Sequence, residues 1–137
     1  MRRIEGYSLW LGHVGDARNL TDLHAAGIEA VVELAANESP ANLPRELVHC
    51  RFPLVDGGGN SPWLFRAAIG TVASLLELRV PTLVCCGVGM SRTPAVAAAA
   101  LALATKTGPS DALSIVTRNG PADISTALWA EIQMVIG

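Results

Sequence analysis

The apolar positions of the chain fall into two kinds of segment, short dense runs and longer runs with helical spacing. The short runs are rich in β-branched residues and end at glycine, proline or aspartate, which is typical of buried strands. We predict strands over 8–11, 28–34, 47–55 and 82–85. The longer runs predict helices over 16–27, 61–78, 92–105, 110–118 and 124–135. Strands and helices alternate early in the chain and helices dominate late, which indicates an α/β domain with a central, mainly parallel sheet of about five strands flanked by helices.

Several helix ends carry capping signals. Ser61 followed by Pro62 is a typical helix start, and Gly27 is a typical helix stop. Asp16, Ser110 and Asp123 are the expected N-caps of their helices. The same interpretation makes Asp123 a structural residue rather than a catalytic one.

The size and composition fit one globular domain over residues 1–137. The chain is 50% hydrophobic and 16% charged, and its formal net charge is -2. Such a balance argues against a protein that coats nucleic acid, which would carry an excess of basic residues. The longest stretch of small apolar residues, 95–104, is about half the length that a membrane span needs. Two arginines at the N-terminus are followed by no apolar segment, so we expect no secretory signal and a cytoplasmic protein without a membrane partner.

The chain contains three cysteines, an odd number of which two are adjacent. Adjacent cysteines are poorly placed to crosslink a fold, which favours a reducing compartment in which cysteine chemistry is catalytic or incidental. No cysteine and histidine spacing resembles a metal site, and we expect neither a metal nor another cofactor. His13, His24 and His49 are interpreted as surface or capping residues.

The most informative segment lies between the strand at 82–85 and the helix at 92–105. It begins at Cys86 and reaches Arg92 and Thr93 after five intervening residues. A loop that leaves a strand and enters a helix directs several backbone N–H groups inward, and the helix start adds a partial positive charge. Such a nest binds a tetrahedral dianion, and its field favours the thiolate form of a cysteine at its base. The planar fork of an arginine can hold two oxygens of the same anion.

Two other glycine-loop interpretations fail on the residues present. A nucleotide-binding P-loop ends in Gly-Lys-Ser/Thr, whereas the single lysine of this chain is Lys106. A dinucleotide fingerprint needs a third glycine at the position that Arg92 occupies.

On these residues the sequence resembles the cysteine-dependent protein tyrosine phosphatase superfamily, and within it the dual-specificity phosphatases. The signature loop corresponds to 84–93, and the strand and loop that carry the family's general acid correspond to 52–56. Weaker similarity over 9–17 and 23–32 extends the resemblance along the whole chain.

The resemblance implies a role for each matching residue. Cys86 would be the nucleophile that forms a phosphocysteine, and Asp56 would act first as general acid and then as general base. Arg92 would bind the phosphate, and Thr93 or Ser91 would offer a hydroxyl to the Cys86 sulfur. The backbone N–H groups of the signature loop would complete the phosphate site, at Gly87, Val88, Gly89, Met90, Ser91 and Arg92. Three glycines after Asp56 suggest a mobile loop that leaves the acid out of place until substrate binds.

The sequence departs from the family pattern at two places. Cys85 stands where the family usually has a histidine that supports the thiolate, and 121–125 replaces a Pro-Asn pair that braces the loop. Cys85 is interpreted as a small buried residue of the strand. A sharper hypothesis is that an oxidised Cys86 is captured by a second thiol, with Cys50 the better candidate if its strand lies beside that of Cys86.

The leading prediction is a phosphomonoester hydrolase that acts on phosphotyrosine, and on phosphoserine or phosphothreonine where the pocket is shallow. The absence of Lys, Arg and His between Cys86 and Arg92 disfavours polyphosphoinositides and RNA 5′ ends, while a small phosphate ester stays open. The alternatives are a catalytically weak domain that binds phosphorylated partners and a rhodanese-like sulfurtransferase. The sulfurtransferase has no role for Asp56.

Overall fold

The computed structural model describes residues 1–118 and 120–136. The described residues form one five-stranded sheet with the strand order β1–β2–β5–β3–β4. Its strands are β1 (Arg2–Arg3), β2 (Leu9–His13), β3 (Ala30–Ala35), β4 (Val48–Leu54) and β5 (Thr82–Cys86). β1 is antiparallel to β2, and the other neighbouring strands are parallel. The predicted α/β class with a mainly parallel sheet of about five strands is confirmed. The short edge strand β1 was not predicted, because two arginines carry no hydrophobic signal.

The helices cover both faces of the sheet. They are α1 (Val14–Ala17), α2 (Leu20–Ala25), α3 (Pro62–Glu77), α4 (Arg92–Thr105), α5 (Pro109–Thr117) and α6 (Thr126–Ile136). Among the described helices, none has the length and apolarity that crossing a membrane requires.

The single helix predicted over 16–27 is wrong, since the structure has two short helices there. His13 caps α1, because its Nδ1 accepts from the amide of Gly15 at 3.0 Å and its own amide donates to the Asp16 carboxylate at 2.9 Å. Asp16 is therefore inside the first helix and not at its N-cap. Asn19 caps the second helix by accepting from the amide of Asp22 at 3.1 Å. An N-cap residue has a non-helical backbone, so Asn19 divides the two helices.

Two further helix starts differ from the predicted ones. Gly108 is the N-cap of α5, with Pro109 at the first helical position, so Ser110 is inside the helix. Helix α6 begins at Thr126, and the hydroxyl of Ser125 accepts from the amide of Leu128 at 3.3 Å. Ser125, not Asp123, caps this helix.

The two faces of the sheet bury different amounts of apolar surface. On one face α3 to α6 pack over alternate strand residues that include Val32, Val84 and Cys86. The residues at 95–101 of α4 are fully buried, because their small side chains let the other helices and the sheet approach closely. On the other face α1 and α2 cover a smaller cluster that contains Leu83 and Cys85. Since side chains alternate along a strand, Cys85 and Cys86 face opposite sides of the sheet.

Candidate active site

The segment that joins β5 to α4 forms a tight loop over 87–91, between Cys86 at the end of the strand and Arg92 at the start of the helix. Gly89 has a φ of +82°, and a Cβ at this position would come 2.6 Å from the carbonyl oxygen of Gly12 on β2. A side chain there would require a strained backbone and a displaced neighbouring strand. This glycine therefore allows the loop to lie against the end of β2.

Two carbonyl groups of this loop are held by segments outside it. The carbonyl of Gly87 accepts from the amide of Val14 at 3.4 Å, and that of Met90 accepts from the amide of Asp123 at 2.7 Å. In a trans peptide the N–H points opposite to the C=O, so the N–H groups that follow these carbonyls are directed into the loop. Together with the start of α4 they form a concave site for an anion.

Arg92 is 8% exposed and lines the pocket above this loop. Its Nη1 donates to Asn37 Oδ1 at 2.9 Å and to the carbonyl oxygen of Leu54 at 3.0 Å. Its buried Nε has no hydrogen-bond partner among the described residues. A buried donor without a partner costs free energy, so the unused N–H favours binding of an oxyanion. Two partners hold one side of the guanidinium, and the Nε–H is unpaired among the described residues.

Asp56 lies two residues beyond β4 and lines the same pocket as Cys86. The Ser91 hydroxyl accepts from the amide of Ser125 at 3.0 Å and donates to Asp56 Oδ1 at 2.6 Å. Since its proton is committed to Oδ1, a proton carried by the carboxyl group belongs on Oδ2. The carboxyl group is thus oriented with its second oxygen available to a substrate.

The glycine-rich segment after Asp56 is tethered rather than displaced. Asn60 accepts from the amide of Val55 at 2.8 Å and donates to the Val55 carbonyl at 2.9 Å. Glu131 on α6 accepts from the amides of Gly59 at 2.8 Å and Asn60 at 3.3 Å. These bonds hold the loop beside the pocket in this structure, and the expectation that Asp56 is out of place without substrate stays a prediction.

Thr93 is fully buried, and its Oγ1 has no hydrogen-bond partner among the described residues, Cys86 included. The Ser91 hydroxyl is engaged with Asp56 and Ser125. Neither predicted hydroxyl therefore donates to the Cys86 sulfur in this structure.

The loop, the nucleophile candidate and the acid candidate open onto one pocket of about 200 Å³. Its lining consists of Asp56, Cys86, Val88, Gly89, Met90, Ser91, Arg92 and Asp123. Of the predicted site residues, Gly87 and Thr93 do not contribute to this lining. Asp123 does, although the sequence indicated a helix cap.

A separate small cavity of about 10 Å³ lies behind Cys86, on the side of Cys85 and Glu33. Glu33 is aligned with Cys85 across neighbouring strands, accepts from the amide of Ala41 at 3.1 Å and contacts His49 Nε2. Burial, and then the nearby carboxylate of Glu33, raise the pKa of Cys85 well above the usual range. The thiol at position 85 therefore stays protonated at neutral pH, and His49 pairs with a buried acid rather than lying free on the surface.

Cys50 is too far from Cys86 to capture it in a disulfide. Strand β3 lies between β4 and β5, and Cys50 is aligned through Val32 with Val84. Two strand spacings separate the backbones by about 9.6 Å, whereas a disulfide needs Cα atoms about 4.4–6.8 Å apart. The expectation that the two strands are neighbours is wrong. Cys85 faces the opposite side of the sheet and is no better placed.

The residues that support the site were not predicted individually. Asn37 follows β3, and Asn60, Ser125 and Glu131 come from two later segments that reach the loop through contacts distant in sequence. Of these residues, Asn37 could have been identified from the sequence, because it follows a predicted parallel strand. The carboxyl ends of parallel strands meet at one edge of the sheet, where ligands bind.

No family model matches the sequence, and no curated protein matches it either. Solved structures match the fold over nearly the whole chain. Human DUSP28 is 20% identical with a TM-score of 0.86, and the match covers 99% of this chain and 95% of that one. At this identity the similarity establishes the fold, which is that of the dual-specificity phosphatases.

Two other solved structures with the same fold belong to proteins of different kinds. The human tyrosine phosphatase-like serine/threonine/tyrosine-interacting protein is 20% identical with a TM-score of 0.82, and the match covers 98% of this chain and 93% of that one. PTPMT1 in complex with PI(5)P is 16% identical with a TM-score of 0.74, and the match covers 98% of this chain and 93% of that one. The fold is thus shared by a phosphatase bound to PI(5)P and by a phosphatase-like interacting protein, so the fold alone does not determine the function and the site must be examined.

Proposed function

We propose that this protein is a phosphomonoester hydrolase that works through a phosphocysteine at Cys86. The observation that carries the proposal is the placement of Cys86, Arg92 and Asp56 around one pocket of about 200 Å³. The buried, unpartnered Nε of Arg92 supports the binding of an oxyanion in that pocket. The free thiols are compatible with a reducing compartment, which supports the cytoplasm as the location.

The first step transfers the phosphoryl group to sulfur. The Cys86 thiolate attacks phosphorus, an S–P bond forms, and the bond to the leaving oxygen breaks. The proton on Asp56 Oδ2 moves to that oxygen, so an alcohol or phenol leaves in neutral form. Arg92 and the loop N–H groups hold the other phosphate oxygens as their charge shifts.

The second step regenerates the enzyme. Asp56, now a carboxylate, accepts a proton from water while the water oxygen attacks phosphorus. The S–P bond breaks, and inorganic phosphate and the Cys86 thiolate are released. The Thr93 hydroxyl, to which the family resemblance gives a role in this step, has no hydrogen-bond partner among the described residues.

The substrate that we favour is phosphotyrosine in proteins, with phosphoserine and phosphothreonine also accepted. The pocket lining carries one cationic side chain, Arg92, among the residues that the structure describes. A polyphosphorylated headgroup would need more positive charge than this, so we disfavour it. A small phosphate monoester would use the same site.

The decisive measurement compares Asp56→Ala with the wild type on two kinds of substrate. Loss of the general acid should lower kcat by about 10²- to 10⁴-fold for phosphoserine, which has a poor leaving group. Nitrophenyl phosphate needs little protonation of its leaving group and should lose much less. A wild type that releases no phosphate from either substrate between pH 5 and 8 would contradict the proposal, and equal losses on both would remove Asp56 from its role.

The second candidate is a domain that binds phosphorylated partners with little turnover. The missing hydroxyl contact to the Cys86 sulfur favours it, because that contact would stabilise the departing thiolate. Binding of a phosphotyrosine peptide by the wild type without release of phosphate would identify this case. The same panel, with small phosphate esters added, separates protein substrates from metabolites.

A further inference from the structure

Asp123 occupies an unexpected place at the candidate site. Its amide donates to the carbonyl of Met90 at 2.7 Å, which ties its backbone to the anion-binding loop. The residue also lines the pocket, together with Cys86 and Arg92. The capping role that the sequence suggested belongs to Ser125. The carboxyl group of Asp123 therefore does not cap the helix.

The charges of the pocket are unevenly arranged. Arg92 is buried in the wall, with one side held by Asn37 and Leu54 and its Nε unpartnered. Asp56 and Asp123 are both exposed to solvent and line the same pocket. In the proposed mechanism a phosphate group pairs with the buried cation, while the part of the ligand outside the phosphate meets the protonated carboxyl group of Asp56 and the carboxylate of Asp123.

The two acids differ in their contacts. Asp56 is bound by the Ser91 hydroxyl at 2.6 Å and is needed for proton transfer in the proposed mechanism. The Asp123 side chain has no hydrogen bond or ion pair with the residues that the structure describes. Its charge is thus available to a ligand.

We infer that Asp123 is a specificity-determining residue that favours phosphate monoesters carrying an ammonium or guanidinium group near the phosphate. A lysine or arginine beside phosphotyrosine in a peptide has this chemistry, and so does a phosphorylated amino alcohol. An acidic neighbour would instead be repelled. The inference rests on the proposed function, because it concerns the ligand of the same pocket.

The test uses two phosphotyrosine peptides that differ in one flanking residue, lysine in one and glutamate in the other. The wild type should show the higher kcat/KM on the lysine peptide, mainly through KM. Asp123→Asn should reduce the ratio of the two kcat/KM values by up to about 25-fold, because the lysine peptide loses one attraction and the glutamate peptide one repulsion, each about five-fold for an exposed charge pair in water; added salt should reduce the wild-type ratio. A comparison of kcat/KM for phosphoethanolamine and ethyl phosphate tests whether the cation can belong to a small molecule, in which case phosphoethanolamine is the better substrate.

The matched control is Asp111→Asn. Asp111 is also exposed, but it lies beyond the far end of α4, about 20 Å along that helix from Arg92. This variant should keep the wild-type ratio. An Asp123→Asn protein that also keeps the ratio would overturn the inference while leaving the hydrolase proposal intact.

Binding of the same peptides to Cys86→Ser and to the Cys86→Ser, Asp123→Asn double variant separates the two proposals. If the wild type has no turnover, the hydrolase proposal fails, and the ratio of the two peptide affinities still decides the role of Asp123. An affinity ratio that falls in the double variant supports the inference. An unchanged affinity ratio rejects it.

Discussion

Cys85 and Cys86 are neighbours in sequence but lie in opposite environments. Cys86 faces the helices α3 to α6 and reaches the pocket, beside Arg92 and the start of α4. Cys85 faces α1 and α2, is 1% exposed, and is aligned with the buried Glu33. The two adjacent residues therefore place one thiol beside Arg92 and a helix start and the other beside a buried carboxylate.

In the proposed mechanism the two thiols differ in reactivity because of their surroundings and not because of their residue type. The inward N–H groups and Arg92 favour an anion on the Cys86 side. Burial and Glu33 raise the pKa of Cys85 on the other side. The four predictions below test this contrast.

The largest expected effect separates the two cysteines directly. Cys86→Ser should lower kcat by at least about 10⁴-fold, because the nucleophile is lost. Cys85→Ala should change kcat by less than about ten-fold, since its side chain faces the other side of the sheet. Phosphate release from nitrophenyl phosphate measures both.

Circular dichroism and urea unfolding of both variants provide the control. Cys85→Ala removes one small buried group and should cost about 1 kcal/mol of unfolding free energy. A folded Cys85→Ala protein as inactive as Cys86→Ser would contradict the division of roles between the two faces.

The next largest effect is expected at Arg92, the cation on the Cys86 side of the sheet. Arg92→Lys should lower kcat/KM about 10²- to 10³-fold, since an ammonium cannot hold Asn37, the Leu54 carbonyl and a phosphate oxygen in one planar arrangement. Exposed Arg66→Lys on α3 is the matched control and should behave as the wild type. Retention of full activity by Arg92→Lys would show that positive charge alone is sufficient.

The sequence was most informative about the parts of the candidate site that are contiguous along the chain. The strand, the loop and the helix that carry Cys86 and Arg92 are consecutive, so a short pattern and the physics of helix starts predicted them. Strand β4 was also predicted to within one residue at each end, because its pattern and bounding turn signals are local.

The rest depends on contacts between distant parts of the chain. Arg92 and Asn37 are 55 positions apart, and Gly59 and Glu131 are 72 positions apart. Strand order is equally non-local, which is why the placement of Cys50 beside Cys86 was wrong. No periodicity in the sequence specifies which segments become neighbours in space.

A moderate effect is expected at the hydrogen bond that orients the acid. Ser91→Ala removes a donor to Asp56 Oδ1, a bond that becomes one to a charged group, worth about 1.5–3 kcal/mol, as the carboxyl group gives up its proton; the loss corresponds to about 10- to 100-fold in rate. The loss should appear in kcat for phosphoserine and be small for nitrophenyl phosphate, as for a residue that positions the acid. Exposed Ser114→Ala on α5 should have no effect on either substrate. Equal losses on both substrates would indicate general damage to the loop instead.

The smallest effect concerns the face of the sheet that carries Cys85. The pKa of Cys85 in the folded protein is raised above its ordinary value of 9.0. Above that pH the unfolded chain releases the thiol proton while the folded chain keeps it, so the folded state binds more protons. Stability should therefore fall as the pH rises, by about 1.4 kcal/mol per pH unit from this residue.

Urea unfolding of the wild type and Cys85→Ala between pH 8.5 and 10.5, in the presence of reductant, isolates this contribution. All other titratable groups are present in both proteins, so their contributions cancel in the difference. The stability difference between the two proteins should be constant below about pH 9 and then shift in favour of Cys85→Ala by about ten-fold in the folding constant per pH unit. If the unfolding free energies of the two proteins changed in parallel with pH, Cys85 would ionise as easily in the folded protein as in the unfolded chain. The two cysteines would then differ only in the direction in which their side chains point.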